Sequence, residues 1–243
     1  MKKNIRILIY PLIMVMFLML SSSCSKTDTN DPTPSGTVTD IDGNVYKTVT
    51  IGTQVWMAEN LKTTKYRNGD LIGTTTPAIL DYSGQSTPKY QWAVGGNESN
   101  VATYGRLYTW FAATDSRNIC PTGWHLPTDA EWTTLITFLG GEDVAGGKLK
   151  ESGTTHWKSP NTGATNSSGF TSLPVGNHWP EDNLFTNDGT YIFYWSSTDA
   201  TGNAYNGWQW FLYIKFDGSF AAMSNGGDGD TGYSGFSVRC IKD

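Results

Sequence analysis

CPTGWHLPTDAEW, residues 120–132, is the stretch from which the rest of this chain is read. Within it, Thr128-Asp129-Ala130-Glu131 fits a capping box. The threonine hydroxyl accepts from the third backbone N–H of a new helix, and the glutamate reaches back to the threonine's own N–H. Pro127 blocks helix just upstream, because its ring disfavours helical backbone in the residue before it. Trp132, Leu135, Ile136 and Leu139 then recur at i, i+3, i+4 and i+7, one apolar stripe. Gly140-Gly141 stops the helix where a left-handed cap belongs. Start, face and stop agree on a helix over residues 128–139.

Upstream of that helix, Tyr104, Leu107, Tyr108 and Phe111 share helical spacing and predict an earlier one. Downstream, residues 144–150 predict a short helical turn. Residues 37–57 read as a β-meander: Asp42-Gly43 is a hairpin turn, Val45, Val49 and Ile51 alternate with Tyr46, Thr48 and Thr50, and Gly52-Thr53 turns the chain back into residues 54–57. Residues 63–96 and 153–187 are glycine-rich, polar and weakly periodic, and predict long loops. YIFYWSS (191–197) is a strand. WQWFLYIKF (208–216) is a longer one, apolar on both faces and therefore central. Asp217-Gly218 closes a hairpin into residues 219–223, and GFSVRCIK (235–242) forms the last strand, with Phe236, Val238 and Cys240 on one face. The expectation is one loop-rich α+β domain over residues 37–243, two helices packed on a late antiparallel sheet, with no internal repeat.

Residues 1–23 read as a signal peptide. Lys2, Lys3 and Arg6 precede the apolar run 7–20, which at 1.5 Å per residue makes about 21 Å of helix, short of the ~30 Å hydrocarbon core. Ser21-Ser22-Ser23 and then Cys24 follow, an arrangement that resembles a bacterial lipoprotein signal; Ser21 stands where an aliphatic residue is usual, with Leu20 one place early. The resemblance implies that Cys24 is lipidated and anchors the chain at the outer membrane, on either its periplasmic or its surface face. Plain cleavage and an uncleaved anchor are the alternatives. Residues 24–36 contain nothing large and apolar and read as a disordered tether.

The leader holds three of the 17 Lys and Arg and none of the 22 Asp and Glu, so the remainder carries a net charge of −8. That balance argues against nucleic acid or anionic lipid as a partner, since either needs a basic patch. Ten tryptophans, 12 tyrosines and 27 glycines suit an exported, loop-rich domain. Cys120 and Cys240 remain after Cys24, and in an oxidising compartment pairing is the default. A bridge over 120 residues of chain would stabilise by about 4–5 kcal/mol through loop-closure entropy. Two separate buried thiols are the alternative.

Five ordered strings carry a family resemblance: IGTQVWMAENL (51–61), YGRLYTW (104–110), CPTGWHLPTDAEW, GGKLK (146–150) and the closing residues 235–240. Together they resemble the Fibrobacter succinogenes major paralogous domain, which occurs in exported proteins of Bacteroidetes and Fibrobacteres and has no established biochemical role. LPTDAEW is also similar to the helix start of the sulfatase-modifying-factor, or formylglycine-generating, enzymes, with aspartate in place of glutamate. That second resemblance implies a C-type-lectin-like architecture. Those enzymes use a C-terminal cysteine pair to bind copper; only Cys240 lies there, so soft-metal oxidase chemistry lacks its ligands.

His125, His156 and His178 sit in no HExxH or GxSxG context and read as structural or merely exposed. Binding is the stronger functional expectation, of a glycan or a surface protein, with a structural or assembly role in the envelope as its rival. Flat aromatic faces beside amides and carboxylates suit sugar rings. Many of the aromatics must fill the core, and Trp132, Trp208 and Trp210 are assigned there; Trp157, Trp179 and Tyr205, in polar loops, are the ligand candidates. Calcium is a further option, since Asn225, Asp228 and Asp230 crowd one loop and Asp182, Asn183 and Asp188 another. Asp-Gly and Asn-Gly runs are equally ordinary turn chemistry.

Overall fold

The computed structural model describes residues 33–81, 83–200, 208–225 and 231–243. The expected signal peptide (1–23) and Cys24 lie outside the described residues. The meander forms as read: β1 (Thr33–Thr39), β2 (Val45–Ile51) and β3 (Gln54–Met57) pair antiparallel in sequence. Its first strand corrects the tether, which was expected to run to residue 36. Pro34 and Gly36 already pair with Val49 and Thr48, across a bulge between them. A proline and a bulge are tolerated there because β1 lies at the edge of its sheet.

The expected helix at residues 104–111 is three elements. α1 (Val101–Tyr104) ends at Gly105, β5 (Arg106–Tyr108) runs extended beside β4 (Gln91–Ala93), and α2 (Trp110–Ala113) restarts with Thr109 accepting from the Ala112 N–H. Gly105 is the break: its φ is +75°, and a Cβ there would lie 2.7 Å from the Asn60 Cβ and 2.8 Å from the Leu61 oxygen. Leu107 and Tyr108 are both buried because each face of this strand is covered. Burial on two faces mimics helical spacing over so short a run.

After β6 (Trp124–His125), α3 (Asp129–Phe138) has the capping box foreseen, Glu131 N–H to Thr128 Oγ1 at 3.2 Å and Thr128 N–H to Glu131 Oε2 at 2.8 Å. It ends in a Schellman turn: Gly140 N–H bonds Thr137 O and Gly141 N–H bonds Ile136 O, both glycines at positive φ. α4 (Glu142–Leu149) is longer than the turn expected. The remaining strands are β7 (Asn177–Trp179), β8 (Leu184–Thr186), β9 (Tyr191–Asp199), β10 (Gln209–Lys215), β11 (Ala221–Ser224), β12 (Phe236–Ser237) and β13 (Ile241–Lys242).

These strands form a five-stranded sheet, β1-β2-β3-β13-β6, a six-stranded sheet, β11-β10-β9-β12-β5-β4, and the β7-β8 hairpin. Among the pairings between these strands only β12 with β9 is parallel. The fold is therefore mixed helix and sheet, mostly strands with few short helices. β10 is interior, as its two apolar faces require. The last strand, expected as one, is two: the chain leaves the six-stranded sheet after Ser237 and enters the five-stranded one at Ile241. Val238, Arg239 and Cys240 make the crossing, all buried. Cys240 there meets Cys120 in the expected disulfide, with a Cα–Cα distance of 6.0 Å.

One core lies under α3 and α4, where Trp132, Leu135 and Leu149 meet Trp56 of β3, Tyr194 of β9 and Leu212 of β10. Trp56 and Trp132 stack with centroids 4.6 Å apart. The GGKLK string belongs to this packing. A Cβ on Gly146 would lie 2.2 Å from Phe220 O, and one on Gly147 2.4 Å from Gly163 O, so α4 sits directly on the β10–β11 turn. Buried Lys150 then donates to the carbonyls of Thr162, Lys215 and Gly218 at 2.9–3.1 Å. Burial pushes its pKa down to about 8, with the Asp217 charge pulling the other way.

Candidate binding cleft

The segment at residues 156–158 alternates. Trp157 turns inward, 1% exposed, and its Nε1–H donates to Ser172 O at 2.9 Å. Its neighbours His156 and Lys158 therefore line an outer cleft of about 550 Å³. The segment is held along its length by Lys158 N–H donating to Gly189 O at 2.8 Å. Gly189 has φ +74°, and a Cβ there would come within 3.1–3.2 Å of the Lys158 stem, so the lysine's aliphatic chain lies close over the glycine.

The second wall is the β7–β8 hairpin. His178 exchanges both backbone hydrogen bonds with Gly235, beside β12. Its ring is fully buried, stacked on Phe185 at 4.0 Å and edge-on to Trp92 at 4.6 Å. Neither ring nitrogen has a well-formed hydrogen bond, and burial pushes the pKa down to about 4, so the ring is neutral and acts as an apolar brace. It fixes Phe185, which lines the cleft together with Pro174 and Val175. The third wall is the segment before β5, where Val94, Asn100 and Tyr104 face the same space. Asn100 Nδ2–H donates to Val94 O, tying that wall together.

His156 carries the most defined chemistry. Its Nδ1 lies 2.8–2.9 Å from both carboxylate oxygens of Glu151, and the Tyr104 ring meets it edge-on at 5.5 Å. A carboxylate offers only lone pairs, so Nδ1 carries the proton. Nε2 is left without a partner among the described residues. The cleft therefore combines aromatic faces, an unpartnered imidazole nitrogen, the Lys158 ammonium and the Asp188 carboxylate.

Trp157, expected to meet a ligand, is instead a core residue, because the phase of its segment points it at Ser172. Trp179 is 41% exposed, paired with exposed Leu184 on the outer face of the hairpin, opposite to Phe185. Tyr205 lies outside the described residues. Of the tryptophans assigned to the core, Trp132 is buried and Trp210 half-buried, whereas Trp208 is 41% exposed at the open end of β10. Asp228 and Asp230 lie outside the described residues and Asn225 is half-buried. Asp182 and Asn183 form the exposed β7–β8 turn, and Asp188 stands in the cleft wall. No group of three His, Cys, Asp or Glu among the described residues is placed to hold a metal ion. An isolated histidine in a polar loop reads as structural, and the one sequence signal for His156 is Glu151, five residues upstream.

His125 has a different role. Nδ1 lies 2.7 Å from Asp243 Oδ1 and Nε2 2.8 Å from Glu131 Oε1. Burial alone would lower its pKa, but the two carboxylates outweigh that and raise it above the ordinary 6.5. A raised folded value stabilises fully below the unfolded pKa and is lost as pH rises through the folded one. The melting temperature of the parent is thus expected to exceed that of His125→Gln most below about pH 6.5. The gap closes at alkaline pH, and it stays small because the ring is a third exposed. A gap that widened with rising pH would contradict the assignment.

The family model described as the Fibrobacter succinogenes major domain matches residues 49–242. Neither the curated proteins nor the solved structures contain a match.

Proposed function

The chain belongs to the Fibrobacter succinogenes major domain family, and from that premise together with the cleft we propose that it is a cell-envelope lipoprotein whose domain binds a glycan without transforming it. The cleft carries this reading. Its volume lies within the range of small-ligand sites, and its lining pairs Tyr104 and Phe185 with a few convergent polar groups. Among the described residues the lining has no serine, threonine or cysteine, and Asp188 is its one carboxylate. That favours holding a sugar over acyl transfer or glycoside hydrolysis, which need a nucleophile or paired carboxylates. Lipidation at Cys24 is supported by the leader sequence, and a C-type-lectin-like fold by the order of helices before a late sheet, with first and last strands in one sheet.

A second reading, assembly with another envelope protein, is favoured by the outer face of the hairpin. Trp179 and Leu184 are exposed there, and exposed Ile79 precedes Leu80, whose N–H bonds Pro180 O. A glycan array probed with the purified full chain in detergent is expected to give specific signal. An empty array, with an envelope protein co-purifying through Trp179, would replace the first reading by the second.

A further inference from the structure

Resting on the carbohydrate reading, we infer that the cleft between His156, Lys158, Tyr104 and Phe185 takes a neutral, hydroxyl-rich sugar ring, with His156 Nε2 hydrogen-bonded to one ligand hydroxyl and Lys158 Nζ donating to another. The Glu151 carboxylate holds a proton on Nδ1 and fixes the ring, so Nε2 faces the ligand. A hydroxyl can accept from or donate to that nitrogen. Lys158 forms no ion pair among the described residues and disfavours a cationic ligand, while Asp188 nearby disfavours an anionic one. A group that both donates and accepts satisfies all three, and a sugar carries several such groups on one rim. Its C–H face then has the Tyr104 and Phe185 rings to lie against. The site is also built in advance. Trp157 anchors the segment, and Gly189 admits the Lys158 stem at a distance that a Cβ would not, so little ordering remains at the moment of binding.

The test uses the full chain, saturation-transfer NMR and calorimetric titration, with the methyl glycosides of glucose, galactose, mannose and N-acetylglucosamine as probes and galacturonate as the charged control. His156→Phe removes the ring nitrogen and keeps a ring. Lys158→Met removes the ammonium and keeps the stem, on an exposed side chain that does not threaten folding. Trp179→Ala marks the surface outside the cleft. At least one neutral glycoside is expected to bind, with affinity falling roughly three- to tenfold in each cleft variant and unchanged in Trp179→Ala. Neutral glycosides bound equally well by both cleft variants would overturn the assignment of this cleft and leave the carbohydrate reading standing. Preferential binding of galacturonate would overturn the neutral class. Absence of any glycoside binding would remove both the inference and the reading beneath it.

Discussion

Replacing Cys120 and Cys240 together by alanine is expected to lower the unfolding free energy by about 5 kcal/mol, because the bridge closes a loop of 120 residues in the unfolded chain. The folded state does not need the bridge to bring the two cysteines together. Next to Cys120, Arg67 donates from Nε and Nη2 to the Cys120 carbonyl and from Nη2 to those of Pro121 and Trp124. Next to Cys240, Ile241 and Lys242 pair with His125 and Trp124, which joins β13 to β6. Both cysteines are buried, so alanine leaves small voids and no exposed polar group. The loss therefore falls mainly on the unfolded ensemble, and the variant keeps the native fold with a much earlier denaturant midpoint. Since whole domains are stable by only about 5–15 kcal/mol, such a variant would stand near its threshold. Denaturant unfolding of the parent under oxidising and reducing conditions, beside the double alanine variant, checks this. Equal midpoints within about 1 kcal/mol would mean that the bridge constrains nothing.

How much was legible in the sequence follows the distance over which each feature is decided. The α3 cap and stop are made of hydrogen bonds spanning three to five residues, and the residues themselves announce them. The meander is equally local. Residues 104–111 failed because Gly105 is forced into its turn by Asn60 and Leu61, more than 40 positions away. β1 was cut short because its pairing partners lie in β2, beyond the turn. The tail 235–242 reads as one apolar strand because nothing within eight residues says that the chain must change sheets at Arg239. The cleft shows the same limit more finely. Residues 156–158 and the β7–β8 hairpin are the places the aromatic content indicated, yet Trp157 and Trp179 face away from the cleft and His156, Lys158 and Phe185 face it. A one-residue phase decides that, and the phase is set by Ser172 and Gly189, far along a stretch with no period of its own. GGKLK stood out as a string; its meaning, Gly146 against the β10–β11 turn, Gly147 against Gly163 and a buried ammonium on the carbonyls of both segments, needs the fold.

Arg239→Met is expected to cost about 3–5 kcal/mol, although methionine fills much of the same space and avoids burying a charge. Arg239 is 1% exposed at the crossing between the two main sheets. Nε and Nη2 donate to Asn60 Oδ1 at 3.2 and 2.7 Å, Nη1 to Met57 O at 3.2 Å and to Phe170 O, and Nη2 to Tyr194 Oη at 3.2 Å. The guanidinium also lies over the Phe170 ring, 4.3 Å from its centroid. Burial pulls its pKa below the ordinary arginine value, with Tyr194 and the more distant Glu59 pulling the other way. A buried ion pair can often be exchanged for apolar residues at little cost, because both charges leave together. Here the contacts are amide and backbone oxygens plus a tyrosine hydroxyl. Methionine would leave those acceptors buried without a donor, at about 1–3 kcal/mol for each that finds no water. Arg239→Lys keeps the charge but offers one point of donation where three segments need a planar fork, so it should fall between parent and methionine. The expected order of denaturant midpoints is parent, lysine, methionine. A methionine variant within about 1 kcal/mol of the parent would show that the crossing is held by the bridge and the strand pairing alone, with the guanidinium a passenger in the core.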